Sequence, residues 1–279
     1  MTMAQTVSLG YSPCPNDTYI FYALTHDKVT LPQYSIRTRL EDVETLNHLA
    51  LAELLDLTKI SFHAFGHLRD RYVLLRSGGA LGRGCGPLVI APHTTDMYSL
   101  RGKRIAVPGR LTTANLLLQL YGMGYDNLLV LPFDRIMPAL RDGEADAGVI
   151  IHESRFTYRQ AGFHEVLDLG AWWEEESGLP IPLGGILAKR ALGAGLIRSV
   201  ERAIRASLEY AHSHPLEPRQ YIKEHAQELD DQVIDAHISL YVNEFSLDLS
   251  EQGMMAVETL LDRAEARGLI PVSNQPLFL

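Results

Sequence analysis

Residues 147–155 read Ala147-Gly-Val-Ile-Ile-His152-Glu-Ser-Arg155. Gly148 to Ile151 has the composition of a buried parallel strand, apolar on both faces and rich in β-branched side chains. The polar turn Asp142 to Asp146 precedes it and Glu-Ser-Arg follows. The spacing therefore puts His152 at the carboxyl end of a strand. In an open α/β sheet that edge is where ligands bind. His152 is then either a ligand-facing imidazole or a histidine held by a backbone carbonyl without a chemical role.

The same unit recurs toward the N-terminus. Val7 to Ser12 reads as a strand, Pro13 to Thr18 as a turn, and Thr18 to Thr25 as a helix with Asn16 or Asp17 as N-cap. Such a helix start suits an anionic group, because free N–H groups point out of it. Tyr34 to Leu40 alternates like a strand, and a helix over Val43 to Leu54 follows. Leu57 to Phe62 is a third strand, with Lys59 and Ser61 on one face and Ile60 on the other. A cation and a hydroxyl there suit a carboxylate-bearing ligand. The alternative is a snorkelling edge lysine beside a structural serine. Tyr72 to Arg76 and Pro87 to Ala91 read as two more strands. Between them, Ser77 to Gly86 holds five glycines in ten residues, which suits a ligand-facing, hinge or surface loop. It lacks the Gly-Lys-Ser/Thr ending of a phosphate loop.

A second series starts at Leu100. The strand Arg104 to Val107 runs into Pro108-Gly-Arg-Leu-Thr-Thr-Ala114 and a helix through Leu116, Leu117 and Leu120. Thr112 or Thr113 either caps this helix or joins the amides of Thr113 and Ala114 in binding ligand oxygen. A strand over 127–133 and a helix over 134–140 lead to the opening stretch. Trp172 and Trp173 are adjacent and cannot share a helix face, so one belongs in the core and the other near a cleft. Leu183 to Ala188 reads as a strand returning to the first unit. Four helical segments follow, near 196–213, 217–227, 230–243 and 250–266, with a polar turn from Glu228 between the second and third.

The pattern predicts an α/β fold of two domains with an interdomain cleft and a helical C-terminal tail. Residues 1–92 plus 187–279 form the larger domain, and 93–186 are inserted between two hinge crossings. Polar strand exits from both domains then converge on the cleft: Pro13 to Thr18, Asn16 among them, with Lys59 and Ser61 from one wall, Thr112, Thr113 and His152 from the other.

Composition narrows the function. A net charge of −9 argues against sequence-independent nucleic-acid binding. No run of eighteen apolar residues is present to span a membrane. Met1-Thr-Met-Ala-Gln-Thr-Val lacks the basic and apolar regions of a secretory signal, so a cytoplasmic location is expected. With only Cys14 and Cys85, no structural disulfide is expected. The eleven histidines show no metal-ligand spacing, and His63-x-x-x-His67 has no acidic partner motif.

Six blocks carry a resemblance to a known family: Ser12-Pro-Cys-Pro-Asn-Asp-Thr18, Leu40-Glu-Asp-Val-Glu-Thr-Leu-Asn47, Leu57-Thr-Lys-Ile-Ser61, Arg76-Ser-Gly-Gly-Ala-Leu-Gly-Arg-Gly84, Val107-Pro-Gly-Arg-Leu-Thr-Thr-Ala114 and Ile150-Ile-His-Glu-Ser-Arg-Phe-Thr-Tyr158. In this order they resemble the 1,4-dihydroxy-6-naphthoate synthases of the futalosine route to menaquinone, from Leu9 to the C-terminal Pro-Leu-Phe. The resemblance implies the two-domain, type II fold of periplasmic-type solute-binding proteins, recruited for catalysis. It implies the substrate cyclic dehypoxanthine futalosine, which carries a carboxylate. It implies that His152 is the proton acceptor, that Lys59, Ile60 and Ser61 contact substrate, and that Thr113 and Ala114 do so from the other domain. It requires no metal or organic cofactor, and both monomer and homodimer stay open. A neutral imidazole suits proton removal beside a carbonyl near pH 7. Two other readings stand beside it: a non-catalytic binding protein for a small carboxylate, and covalent catalysis by Cys14 at a strand-to-helix turn.

Overall fold

The computed structural model describes residues 5–227 and 229–279. Met1 to Ala4 and Glu228, which entered the readings of the N-terminus and of the late polar turn, lie outside the described residues. The chain first lays down β1 (Gln5–Tyr11), α1 (Pro15–Thr25), β2 (Tyr34–Leu40), α2 (Val43–Leu51), β3 (Leu57–Ser61), α3 (Phe62–Gly66), β4 (Tyr72–Leu74) and β5 (Ala80–Gly82). It continues with β6 (Leu88–Ala91), β7 (Ile105–Val107), α4 (Thr113–Tyr121), β8 (Leu128–Val130), α5 (Ile136–Arg141), β9 (Ala147–Ile150), α6 (Ser154–Thr157), β10 (His164–Asp168) and α7 (Leu169–Ser177). Then come β11 (Ile181–Lys189), α8 (Gly193–Ser213), α9 (Arg219–His225), α10 (Asp231–Tyr241), α11 (Glu244–Leu247) and α12 (Ser250–Ala266).

Two mixed sheets result. The first has the order β2-β1-β3-β11-β4, with β5 paired to β11; the second has the order β10-β6-β9-β7-β8. β1, β2 and β3 are parallel, while β11 returns antiparallel between β3 and β4. β9 is parallel to β7 but antiparallel to β6. Its wholly apolar character reflects burial on both faces, with α5 packed against it and every residue buried, and not an all-parallel sheet. The chain passes between sheets twice, over residues 83–87 and 178–180. β6 therefore belongs to the second sheet and β11, from Ile181, to the first, a few residues before the expected limits of 92 and 186.

Local chemistry explains the other departures. α1 starts at Pro15 with Cys14 as N-cap, so Asn16 and Asp17 lie inside its first turn. Proline suits the first helical position, whose N–H would have no partner anyway. α2 is capped by Asp42, which accepts from the Glu44 and Thr45 amides. It stops at Leu51, because Glu53 takes a left-handed φ of 56°. The strand ending at Ser61 turns directly into α3, and the glycine-rich loop conceals β5. Trp173 is fully buried, whereas Trp172 packs edge-on against Tyr121, away from the cleft.

The largest core cluster runs from Leu46 and Phe62 through Leu116 and Trp173 to Leu260, and so joins both lobes. A second lies under α1 and α8 in the first lobe, and a third fills the second lobe around Ile136 and Ile150. The C-terminal helices cover the first lobe: α8, α9 and α10 pack on α1, and α12 reaches α3, β11 and α4. No helix among the described residues is long and apolar enough to cross a membrane. Both cysteines are buried and unpaired.

Candidate active site between the lobes

The strand exits of the two sheets face each other across one cavity of about 100 Å³. Asn16, Lys59, Ile60, Ser61, Thr112, Thr113, Ala114 and His152 all line it. Asp17, from the Pro13 to Thr18 exit, and Cys85, from the glycine-rich loop, line it as well, and so do Ser12 and Tyr241, which sequence reasoning had not placed there.

On the first wall the polar groups hold one another. Lys59 Nζ donates to Asp17 Oδ1 at 2.8 Å, with both side chains buried. Asp17 Oδ2 accepts from Ser12 N at 3.1 Å and Ser12 Oγ at 2.9 Å, and Asn16 Nδ2 donates to Oδ1 at 2.8 Å. Lys59 is therefore neither a free cation nor a snorkelling edge lysine. It is half of a buried ion pair, with further N–H groups available at the cavity wall. Ser61 is set by Asn47, whose Oδ1 accepts from the Ser61 amide at 3.1 Å. Asn47 in turn donates to Glu44 at 3.0 Å.

On the second wall, Thr112 does what a cap does. Its Oγ1 accepts from Asn115 N at 3.3 Å and donates to Gly109 O at 2.8 Å. Thr113 Oγ1 bridges the lobes, accepting from Phe62 N at 3.0 Å and donating to Leu183 O at 2.5 Å. The hydroxyls of both threonines are thus engaged, and the first α4 amides, at Thr113 and Ala114, are the groups left to face a ligand. Glu44 makes a second bridge by accepting from Leu111 N at 3.1 Å.

His152 follows β9 in the left-handed region, at φ 56°. That conformation is uncommon for a residue with a side chain and turns the ring out of the strand line. The ring stacks at 6.1 Å and 10° on His237 and lies 5.0 Å from Phe133. Burial pushes its pKa below 6.5, against the upward pull of Glu153 and Asp17. The imidazole is therefore neutral near pH 7.

Behind His152 lie three residues that sequence reasoning did not connect with it. Cys14, His152 and Glu153 bring one ligand atom each within 4.8 Å of one another. Burial, reinforced by Glu153, pushes the Cys14 thiol well above its usual range. The same shift leaves Cys14 a poor nucleophile. His237 donates from Nε2 to Asn16 Oδ1 at 2.9 Å, and its Nδ1 lies 3.8 Å from Glu153 Oε2. The one sequence signal for this group is the spacing of His237 and Tyr241, which places both on one face of α10.

The arrangement can remove a proton with a neutral imidazole and hold a carboxylate or oxyanion with Lys59 and the α4 amides.

A family profile described as menaquinone biosynthesis matches residues 7–266. A protein of Thermus thermophilus named 1,4-dihydroxy-6-naphthoate synthase is 56% identical over 275 residues, spanning 99% of this chain and all of that one. A Streptomyces coelicolor protein of the same name is 46% identical, over 96% of each chain. Among solved structures, the alkanesulfonate-binding protein of Xanthomonas axonopodis superposes with a TM-score of 0.72 at 15% identity, over 98% of this chain and 96% of that one. That likeness establishes the periplasmic-binding-protein-like fold.

Proposed function

Since this chain belongs to the menaquinone-biosynthesis family, we propose that it is an enzyme forming 1,4-dihydroxy-6-naphthoate from cyclic dehypoxanthine futalosine. In this reading His152 takes a proton from the carbon beside the substrate carbonyl. The electrons open the ring, the sugar-derived fragment leaves, and aromatisation drives the reaction forward. Lys59 and the amides of Thr113 and Ala114 hold the carboxylate and the developing oxyanion, while Asn16, Ile60 and Ser61 shape the first wall. The steps invoke no metal or organic cofactor.

The observation that carries the reading is the placement of His152. A neutral, half-buried imidazole is turned by a left-handed backbone into a cavity whose far wall holds the buried Lys59–Asp17 ion pair. General-base assistance of this kind supplies ~10²–10⁴-fold, and fixed geometry supplies much of the rest. Small-molecule sites usually enclose ~300–1,000 Å³, and in this reading the lobes part to admit the substrate. Two buried, unpaired cysteines suit a reducing compartment, and the reading includes a cytoplasmic location.

The test is incubation of the protein with cyclic dehypoxanthine futalosine, followed by absorbance or mass detection of the naphthoate. Binding without conversion would replace the synthase with a carboxylate-binding protein of the same fold.

A further inference from the structure

We propose that Glu153 is the counter-ion of His152: a carboxylate behind the cavity wall that is left unpaired in the resting enzyme and becomes paired when His152 takes its proton. The inference rests on the reading of His152 as a base.

Glu153 is buried, and its Oε2 has no hydrogen-bond partner. Among the described residues its ionic neighbour is His237, whose Nδ1 lies 3.8 Å away. That nitrogen is equally unpartnered and fully buried. The Asn16 Oδ1 contacted by His237 Nε2 can only accept, so Nε2 carries the ring proton. Burial holds His237 neutral. Its Nδ1 therefore turns a lone pair toward Glu153 and offers no proton. A carboxylate so placed is poorly compensated until a positive charge forms close by.

The groups facing His152 come from every neighbouring element. Asp17 on α1 and Lys59 on β3 are paired at 2.8 Å, so their fields at the ring largely cancel. Asp42, ahead of α2, is exposed and caps that helix. Cys14 is a thiol and His237 a neutral ring. Glu153 is left as the uncancelled buried charge, within 4.8 Å of a His152 nitrogen. Its attraction grows as the imidazolium forms, and an interaction stronger in the transition state than in the ground state raises turnover. Glu153 does not line the cavity, so it acts through His152 as a positioning residue.

The test follows two quantities through wild type, Glu153→Asp and Glu153→Gln. One is the titration midpoint of His152, read by NMR on histidine-labelled protein without substrate and assigned by its loss in His152→Gln. The other is the pH profile of kcat. An opposite charge within ~4–6 Å moves a pKa by about 1–3 units. Glu153→Gln should lower the His152 midpoint by about one unit or more, cut kcat about ten- to hundredfold with KM little changed, and carry the acid limb of the profile to lower pH. Glu153→Asp should fall between in both quantities, and it decides the matter alone if the glutamine variant does not fold. A fall in kcat with the midpoint unmoved, or a midpoint that rises, would overturn the proposal. So would a Glu153 that is itself protonated and donates to His237, since the glutamine would then leave the midpoint in place. If the wild type converts no futalosine, the synthase reading fails while the midpoint still decides the coupling.

Discussion

Lys59 and Asp17 meet at 2.8 Å, a strand exit against a helix start, with both groups sealed from solvent. Removing one partner strands the other as an unpaired buried charge, at a cost of about 3–5 kcal/mol. Asp17→Asn and Lys59→Met should each destabilise by that amount in urea unfolding. The double variant should lose clearly less than their sum, because the two effects share one cause.

His152→Gln should lower turnover by ~10²–10⁴-fold while leaving the unfolding midpoint nearly unchanged. For the wild type, burial puts the folded pKa of His152 below 6.5. The base is neutral above that pKa, so kcat/KM should be flat from pH 7 upward and fall only on the acid side. An acid limb centred above 6.5 in a pH–rate profile would remove His152 from the role of base.

His63 makes stability depend on pH. Burial and the neighbouring His67 push it down to about 4, while its unfolded value stays near 6.5. Between those values the unfolded chain binds a proton that the folded chain does not. Stability therefore rises with pH across the window and is lost as pH falls from 6.5 toward 4, by about 1.4 kcal/mol per unit. Urea unfolding at pH 7 and pH 5 should differ by roughly 2 kcal/mol from this group, and His63→Gln should flatten the slope.

Gly86 lies where the chain crosses between sheets, and a Cβ there would overlap the Gly170 backbone. Neither backbone can yield as a flexible side chain does, so Gly86→Ala should destabilise by about 1–3 kcal/mol. Gly195 in α8 has open space around it. Gly195→Ala should stabilise by roughly 0.5–1 kcal/mol, which thermal unfolding of the pair would show.

Cys14 is held as a thiol by burial and by Glu153. Cys14→Ser should therefore keep turnover within about tenfold of wild type, since no thiolate takes part. Loss of all activity in a folded Cys14→Ser protein would restore the covalent alternative.

Much of the framework was legible because it is local. Runs such as Leu57 to Ser61 and Ala147 to Ile150 declare buried strands through their own composition, and the polar residues ending them mark the cavity. Strand direction was not legible: β9 looks the same whether β6 beside it runs parallel or antiparallel, since periodicity reports burial and not polarity. Lys59 looked free because its partner is 42 residues away in sequence. His237 was hidden for the same reason: only folding of the helical tail against α1 brings it to Asn16, across 221 residues. Asp17 was read at the right wall but in the wrong role, as a cap, when Pro15 had already moved the helix start ahead of it.

The insertion of β11 between β3 and β4 bears on how the protein is made. During synthesis β3 leaves the ribosome with one edge open, and the strand that closes it follows only after more than a hundred further residues. Residues 88–168 can meanwhile assemble their own five strands without any later segment, whereas the first sheet must wait for a distant segment and bear its loop-closure entropy. The half of the molecule translated first is thus the half finished last, and its bare strand edge is where a stalled nascent chain is exposed to aggregation.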